Sequence, residues 1–246
     1  MTASDAPTPP LRYAVLASGG GSNFQALLDA AKRGDLNARA VFLACNNSTA
    51  GAMEKANQAG VPAYHVSAKT EGSEAGVSAR LLALIDEHRP DLLVLAGYMK
   101  KVPDAVLARL KNRIVNIHPA LLPEFGGTGM YGHHVHEAVV SAMRRRIAEN
   151  LVDDGRYLSG MTIHMVNEHY DEGQYLIKRA VDIYGADASG VAQRVLELEH
   201  DTYWRVLQGF ATGAMKPTDS DDPAEAVRVS PSWIHYARTL TGTVFP

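Results

Sequence analysis

The sequence predicts an α/β fold, a mainly parallel sheet with helices on both faces, and three observations carry that reading. Short apolar, β-branched runs alternate along the chain with segments of helical periodicity. Glycines and prolines punctuate the joins, and no internal repeat or low-complexity block interrupts the alternation. Finally, 246 residues suffice for one large α/β domain with a substantial core.

Residues 11–17 (L-R-Y-A-V-L-A) form the first strand, ended by S-G-G-G-S-N. Phe24, Leu27, Leu28 and Ala31 then recur at helical spacing until Gly34 stops the helix. Residues 38–44 read as a second strand, 50–59 as a helix ended by Gly60, and 61–66 as a short third strand. An amphipathic helix over 73–88, through Val77, Leu81, Leu84 and Ile85, leads to the apolar strand 91–96. A turn over 97–102, a helix over 103–110 and a strand over 114–117 follow. The glycine-rich residues 124–132 form a loop entering a helix from His133 to about Met143, and 147–158 are mixed, as an extra helical turn or a flap. Residues 160–166 and 175–181 form a hairpin with an acid-rich tip, in which Asp171 by itself reads as a turn former. The last helix, from Ala188 to about Gly213, carries Val191, Val195, Leu198, Tyr203 and Leu207 on its apolar stripe and leaves Glu197 and Glu199 on the polar face. Residues 1–10 are expected to be a disordered leader, 11–213 the domain, and 214–246 a C-terminal surface tail.

Composition narrows the function classes. A formal charge of -3 and a pI near 6.4 argue against a dedicated nucleic-acid or anionic-membrane partner while leaving a small anionic substrate open. The single cysteine, Cys45, excludes an internal disulfide and reads as a small buried hydrophobe at a strand end. The N-terminus has no basic start followed by an apolar run, and no segment has spanning length, so the expectation is a soluble cytoplasmic protein, monomer or homodimer. His133, His134 and His136 invite a zinc reading, but helical ligand pairs want i, i+4 spacing and no cysteine or carboxylate completes a set, so no metal is expected. Arg144, Arg145 and Arg146 read as a solvated helix face.

The chemistry is expected in residues 114–123, I-V-N-I-H-P-A-L-L-P. Asn116 and His118, two apart on an extended chain, point to one side, and at the carboxyl end of a parallel strand that side opens on the ligand crevice. One can donate to a developing oxyanion while the other moves a proton. The S-G-G-G-S-N loop can hold a phosphate at a helix start or serve as a plain tight turn. A dinucleotide fits less well, because Phe24 stands where a third glycine belongs and the second strand ends in Cys45-Asn46-Asn47 rather than an acid.

Taken in order, S-G-G-G-S-N, A-G-Y-M, N-I-H-P-A-L-L-P, a His-rich loop, I-H-M-V-N-E-H-Y-D-E-G and L-E-H resemble the folate-dependent glycinamide ribonucleotide formyltransferases, over roughly residues 13–213. The resemblance implies a Rossmann-like sheet of the formyltransferase fold and transfer of a formyl group from the cosubstrate 10-formyltetrahydrofolate to the amine of phosphoribosylglycinamide, with no metal. It places the catalytic residues on Asn116, His118 and Asp171, the phosphate loop on Gly21, Ser22 and Asn23, and the ribose contact on Glu199. It places the folate contacts on Met99, Lys100, Lys101, Val102, Asn167, Glu168, His169 and Tyr170. Asp171 would then raise the pKa of His118, and His164 and Thr162 would support the loop.

The chain departs from the family pattern in its long G-G-T-G-M-Y-G-H-H-V-H segment, at Leu196, where relatives carry a basic or amide side chain, and at Glu74, where a basic folate contact can occur. The rival readings are a formyltetrahydrofolate deformylase or another formyltransferase on the same core, and, from another class, a catalytically silent nucleotide- or folate-binding protein. Intact Asn116, His118 and Asp171 argue against the last.

Overall fold

The computed structural model describes residues 9–152 and 155–244, so most of the expected leader lies outside the described residues. In chain order the elements are β1 (Leu11–Ala17), α1 (Ser22–Arg33), β2 (Ala38–Cys45), α2 (Gly51–Gln58), β3 (Ala63–His65), α3 (Ala68–Glu71), α4 (Glu74–His88), β4 (Leu92–Leu95), α5 (Asp104–Arg109) and β5 (Ile114–His118). They continue with α6 (His133–Ala148), β6 (Leu158–Met165), β7 (Tyr175–Asp182), α7 (Ala188–Ala211), β8 (Met215–Pro217), β9 (Val227–Val229), α8 (Pro231–Thr239) and β10 (Thr243–Val244).

The main sheet has the order β10-β7-β6-β5-β4-β1-β2-β3. β1 to β5 pair in parallel, whereas β6, β7 and β10 each join antiparallel to the neighbouring strand. The central strands read as continuous apolar runs because helices cover both faces. Tyr13, Val15 and Ala17 of β1 point into one core, with α1, α6 and α7, while Ala14 and Leu16 point into the other, with α4 and α5. The α1 end is set by Gly34, whose left-handed conformation lets its N–H reach the carbonyls of Ala30 and Ala31. Ser73 and Asp187 cap α4 and α7 through their side-chain oxygens.

Residues 214–244, expected as a surface tail, carry more structure than that. β8 and β9 form a ribbon, and β10 adds an edge strand against β7. Met215, Ala226, Val227, Trp233 and Ala237 are buried in the larger core. Trp233 lies flat enough on α7 that a Cβ at Gly209 would stand 3.1 Å from its ring. These apolar residues come in short, irregularly spaced groups among polar ones, so the segment shows no long periodic face until α7 supplies the partner. Likewise α6 runs past Met143 to Ala148 and carries the arginine run within its last turns.

Candidate active site

From β1 the chain moves outward through β2 and β3, then returns to the other side of β1 as β4. That reversal is the topological switch point of an open α/β sheet, where the strand ends splay and leave a crevice. The Ser18 N–H donates to the Gly97 carbonyl at 3.0 Å, and the Met99 N–H to Ser18 Oγ at 2.9 Å, tying the two lips together. A cleft of about 480 Å³ opens above the ends of β4 and β5, beside the start of α1.

Asn116, His118 and Asp171 all line this cleft. The β5–β6 register sets Asn116 opposite His164 and His118 opposite Thr162. His164 Nδ1 faces the Met165 carbonyl at 2.8 Å, and since a carbonyl only accepts, Nδ1 bears the proton. In the neutral ring Nε2 is then an acceptor, and it takes an N–H of Asn116 at 3.1 Å. The second N–H of that amide is left for a ligand. His118 Nε2 donates to the Phe125 carbonyl at 2.8 Å.

Asp171 sits in the β6–β7 loop at a φ of 60°, a left-handed conformation that Asp tolerates better than most residues. Its Oδ2 accepts the Gly127 N–H at 2.9 Å and lies 3.7 Å from His118 Nδ1, while Oδ1 lies 3.4 Å from His164 Nε2. Burial pushes the Asp171 carboxyl up, yet His164, His118 and the Gly127 N–H together hold it below the usual carboxylate value. Burial also depresses the His118 pKa, and the opposing pulls of Asp171 and the Phe125 carbonyl do not overcome it. The expectation that Asp171 raises the His118 pKa is therefore corrected in its outcome: the carboxylate pulls in the expected direction, but desolvation outweighs it and the net shift is downward, towards the neutral ring.

The other end of the cleft is built on helices. Asn23 Nδ2 donates to Glu199 Oε2 at 2.8 Å, and both residues line the cavity. Glu199 is buried rather than solvated as its helical periodicity suggested, because α7 packs against α1 at this turn. That burial, partly offset by Asn23, pushes its carboxyl up to about 7. Gly21 and Ser22 stand at the α1 start, outside the cavity lining. Gly21 is required there, since at its φ of 72° a Cβ would stand 2.7 Å from Ala52 Cα. Leu196 adds an apolar patch to the wall, while Glu74 is not part of it.

Met99, Lys100, Lys101 and Val102 form one side wall, and Asn167, Glu168, His169 and Tyr170 face them from the hairpin loop. Further lining comes from Tyr98, Met130, Tyr131, His136 and His164, to which the sequence reading assigned no place in the cleft. The glycine-rich loop was visible as a loop, but nothing local shows that it folds back over β5. His136 is buried, with an Nδ1 that has no partner among the described residues, and burial lowers its pKa to about 4. Thr162 holds the turn after His118 by accepting the Leu122 N–H at 3.0 Å and donating to the Ala120 carbonyl at 2.8 Å. Lys178 Nζ donates to the Leu122 carbonyl at 2.7 Å, beside the cis Leu122–Pro123 bond. Among the described residues no helix is long and apolar enough to cross a membrane.

Residues 11–207 match the formyl transferase family model. The chain is 38% identical over 207 residues to the chloroplastic phosphoribosylglycinamide formyltransferase of Arabidopsis thaliana, covering 83% of this chain and 67% of that protein. It is 31% identical over 224 residues to the Escherichia coli phosphoribosylglycinamide formyltransferase, covering 90% of this chain and 97% of that one. The crystal structure of glycinamide ribonucleotide transformylase 1 from Symbiobacterium toebii superposes with a TM-score of 0.75 at 30% identity, over 93% of this chain and 98% of the other. With the same fold and near-complete coverage, this chain belongs to the formyl transferase family, among the phosphoribosylglycinamide formyltransferases.

Proposed function

We propose that the cleft transfers a formyl group from 10-formyltetrahydrofolate to the amine of phosphoribosylglycinamide, a step of purine biosynthesis. The observation that best supports this reading is the convergence of Asn116, neutral His118 and ionised Asp171 at one end of a single cleft whose other end holds Asn23 and Glu199. In this reading the phosphate sits at the start of α1 on Gly21, Ser22 and Asn23, where unpaired N–H groups and the helix dipole favour an anion. Glu199 takes a ribose hydroxyl. The pterin lies between residues 99–102 and 167–170.

The amine nitrogen attacks the formyl carbon, forming the new C–N bond and turning the carbonyl oxygen into an oxyanion. The second N–H of Asn116 is aimed at that charge. His118 takes the proton the amine loses, and the resulting imidazolium is stabilised by Asp171. The bond from the formyl carbon to the folate nitrogen then breaks, and the same proton goes to that nitrogen. No step requires a charged His118 at the outset.

The test is to mix the purified protein with both substrates and follow release of tetrahydrofolate, with and without the ribonucleotide. Release that requires the ribonucleotide and yields its formylated product supports the transferase. Ribonucleotide-independent release of formate would make the protein a deformylase, and binding of both ligands without release would make it a silent binding protein.

A further inference from the structure

The loop after β5 holds the two catalytic candidates by its backbone. The Phe125 carbonyl accepts from His118 Nε2 at 2.8 Å, and the Gly127 N–H donates to Asp171 Oδ2 at 2.9 Å. Between them Gly126 passes so close to Asp171 that a Cβ would stand 3.2 Å from the Asp171 Cβ and 2.6 Å from Leu122 Cδ2. Phe125 itself has a φ of 123°, a backbone conformation that side-chain-bearing residues rarely adopt, and its ring packs against the larger core. A strained residue kept in place by core packing, with its carbonyl on a histidine, and a glycine at which a Cβ would crowd both Leu122 and Asp171 are features a passive connection does not need.

We propose that Phe125, Gly126 and Gly127 form a backbone clasp that selects the working nitrogen of His118: the Phe125 carbonyl keeps one proton on Nε2, so Nδ1, beside Asp171, receives the proton leaving the amine. The inference rests on the formyl-transfer reading of the cleft. A carbonyl oxygen cannot donate, so only the Nε2–H tautomer satisfies it, and that tautomer leaves the Nδ1 lone pair 3.7 Å from Asp171 Oδ2. Proton uptake at Nδ1 creates the ion pair with Asp171, while Gly127 keeps that carboxylate from turning away. The three residues are positioning residues, because they act through His118 and Asp171.

Nitrogen NMR of full-length, histidine-labelled protein reads the tautomer directly. At a pH where the ring is neutral, His118 should show a protonated Nε2 and a bare Nδ1; the opposite tautomer overturns the clasp. In Gly126→Ala the added methyl displaces the segment, and the expected results are a mixed tautomer and a kcat lower by about 10²-fold, with both KM values near wild type. The acid limb of its pH profile should also move, since Asp171, His164 and His136 are the titratable groups facing His118. A wild-type tautomer, kcat and pH profile in Gly126→Ala would overturn the proposal. Should that variant not fold, the wild-type spectrum alone decides. His118→Ala separates the two readings: full turnover there refutes formyl transfer through His118, whereas loss of turnover with an unperturbed Gly126→Ala refutes only the clasp.

Discussion

At one end of the cleft the polar groups come from strands and a strapped loop, and at the other they come from helices. Asn116, His118, His164 and Asp171 are cross-tied by hydrogen bonds and close imidazole–carboxylate contacts, so their geometry is set before any ligand arrives. Asn23 and Glu199 share one hydrogen bond and are otherwise desolvated, with Asn23 Oδ1 buried and without a partner among the described residues. Preorganised donors serve a transition state, because they need no rearrangement as charge develops. Desolvated polar groups serve binding, because a ligand that pairs with them regains what burial removed. The two ends thus divide chemistry from recognition.

Substitutions can break that division, and the largest effect is expected at the strand end. His118→Ala should lower kcat by about 10²–10⁴-fold, the usual size of a positioned acid–base group, measured by steady-state formyl transfer. Asn116→Ala should follow, with about 10²–10³-fold for one oxyanion donor. Asp171→Asn should reduce kcat less and move the acid limb. The wild-type limb is expected below the imidazole's ordinary 6.5, because burial lowers the His118 pKa by more than the Asp171 carboxylate raises it. Removing that carboxylate charge moves the limb further down, visible in kcat/KM measured across pH. An upward move would contradict the assignment.

The smallest effect on turnover is expected at the helix end. Glu199 has a folded-state pKa near 7 against an ordinary 4.5, so the fold binds its proton more tightly than the unfolded chain does. The stability tied to this group is complete below about 4.5 and is lost as pH rises through about 7. Glu199→Gln keeps the acceptor for Asn23 and removes the buried charge. It should raise stability at pH 8 by up to about 3 kcal/mol and have little effect near pH 4.5, measured by denaturant unfolding at the two pH values. Its kcat at saturating substrate should stay close to wild type while KM for the ribonucleotide rises.

Much of this architecture is legible in the sequence because burial on both faces leaves apolar runs such as residues 13–17 of β1 and the whole of β4, and because α4 and α7 keep a clean helical period. Asn116 and His118 are legible for the same reason, being two apart on one strand. Asp171 is not, since a lone acid in a hairpin tip is ordinary turn chemistry and only the family resemblance singles it out. The bond from Asn116 to His164 depends on the β5–β6 register, which no local pattern encodes. The resting charge of His118 depends on how deeply it is buried, so the sign of the Asp171 effect could be foreseen but not the balance. Residues 214–244 were opaque because Trp233 and its neighbours gain meaning only against α7.

The division of labour is tested most directly by titrating phosphoribosylglycinamide into His118→Ala in a calorimeter. If the strand end performs chemistry and the helix end recognition, the Kd stays at the wild-type value in a protein that no longer turns over. A Kd weakened by about tenfold or more, a loss of about 1.4 kcal/mol, would show that His118 binds the ribonucleotide and would contradict the account.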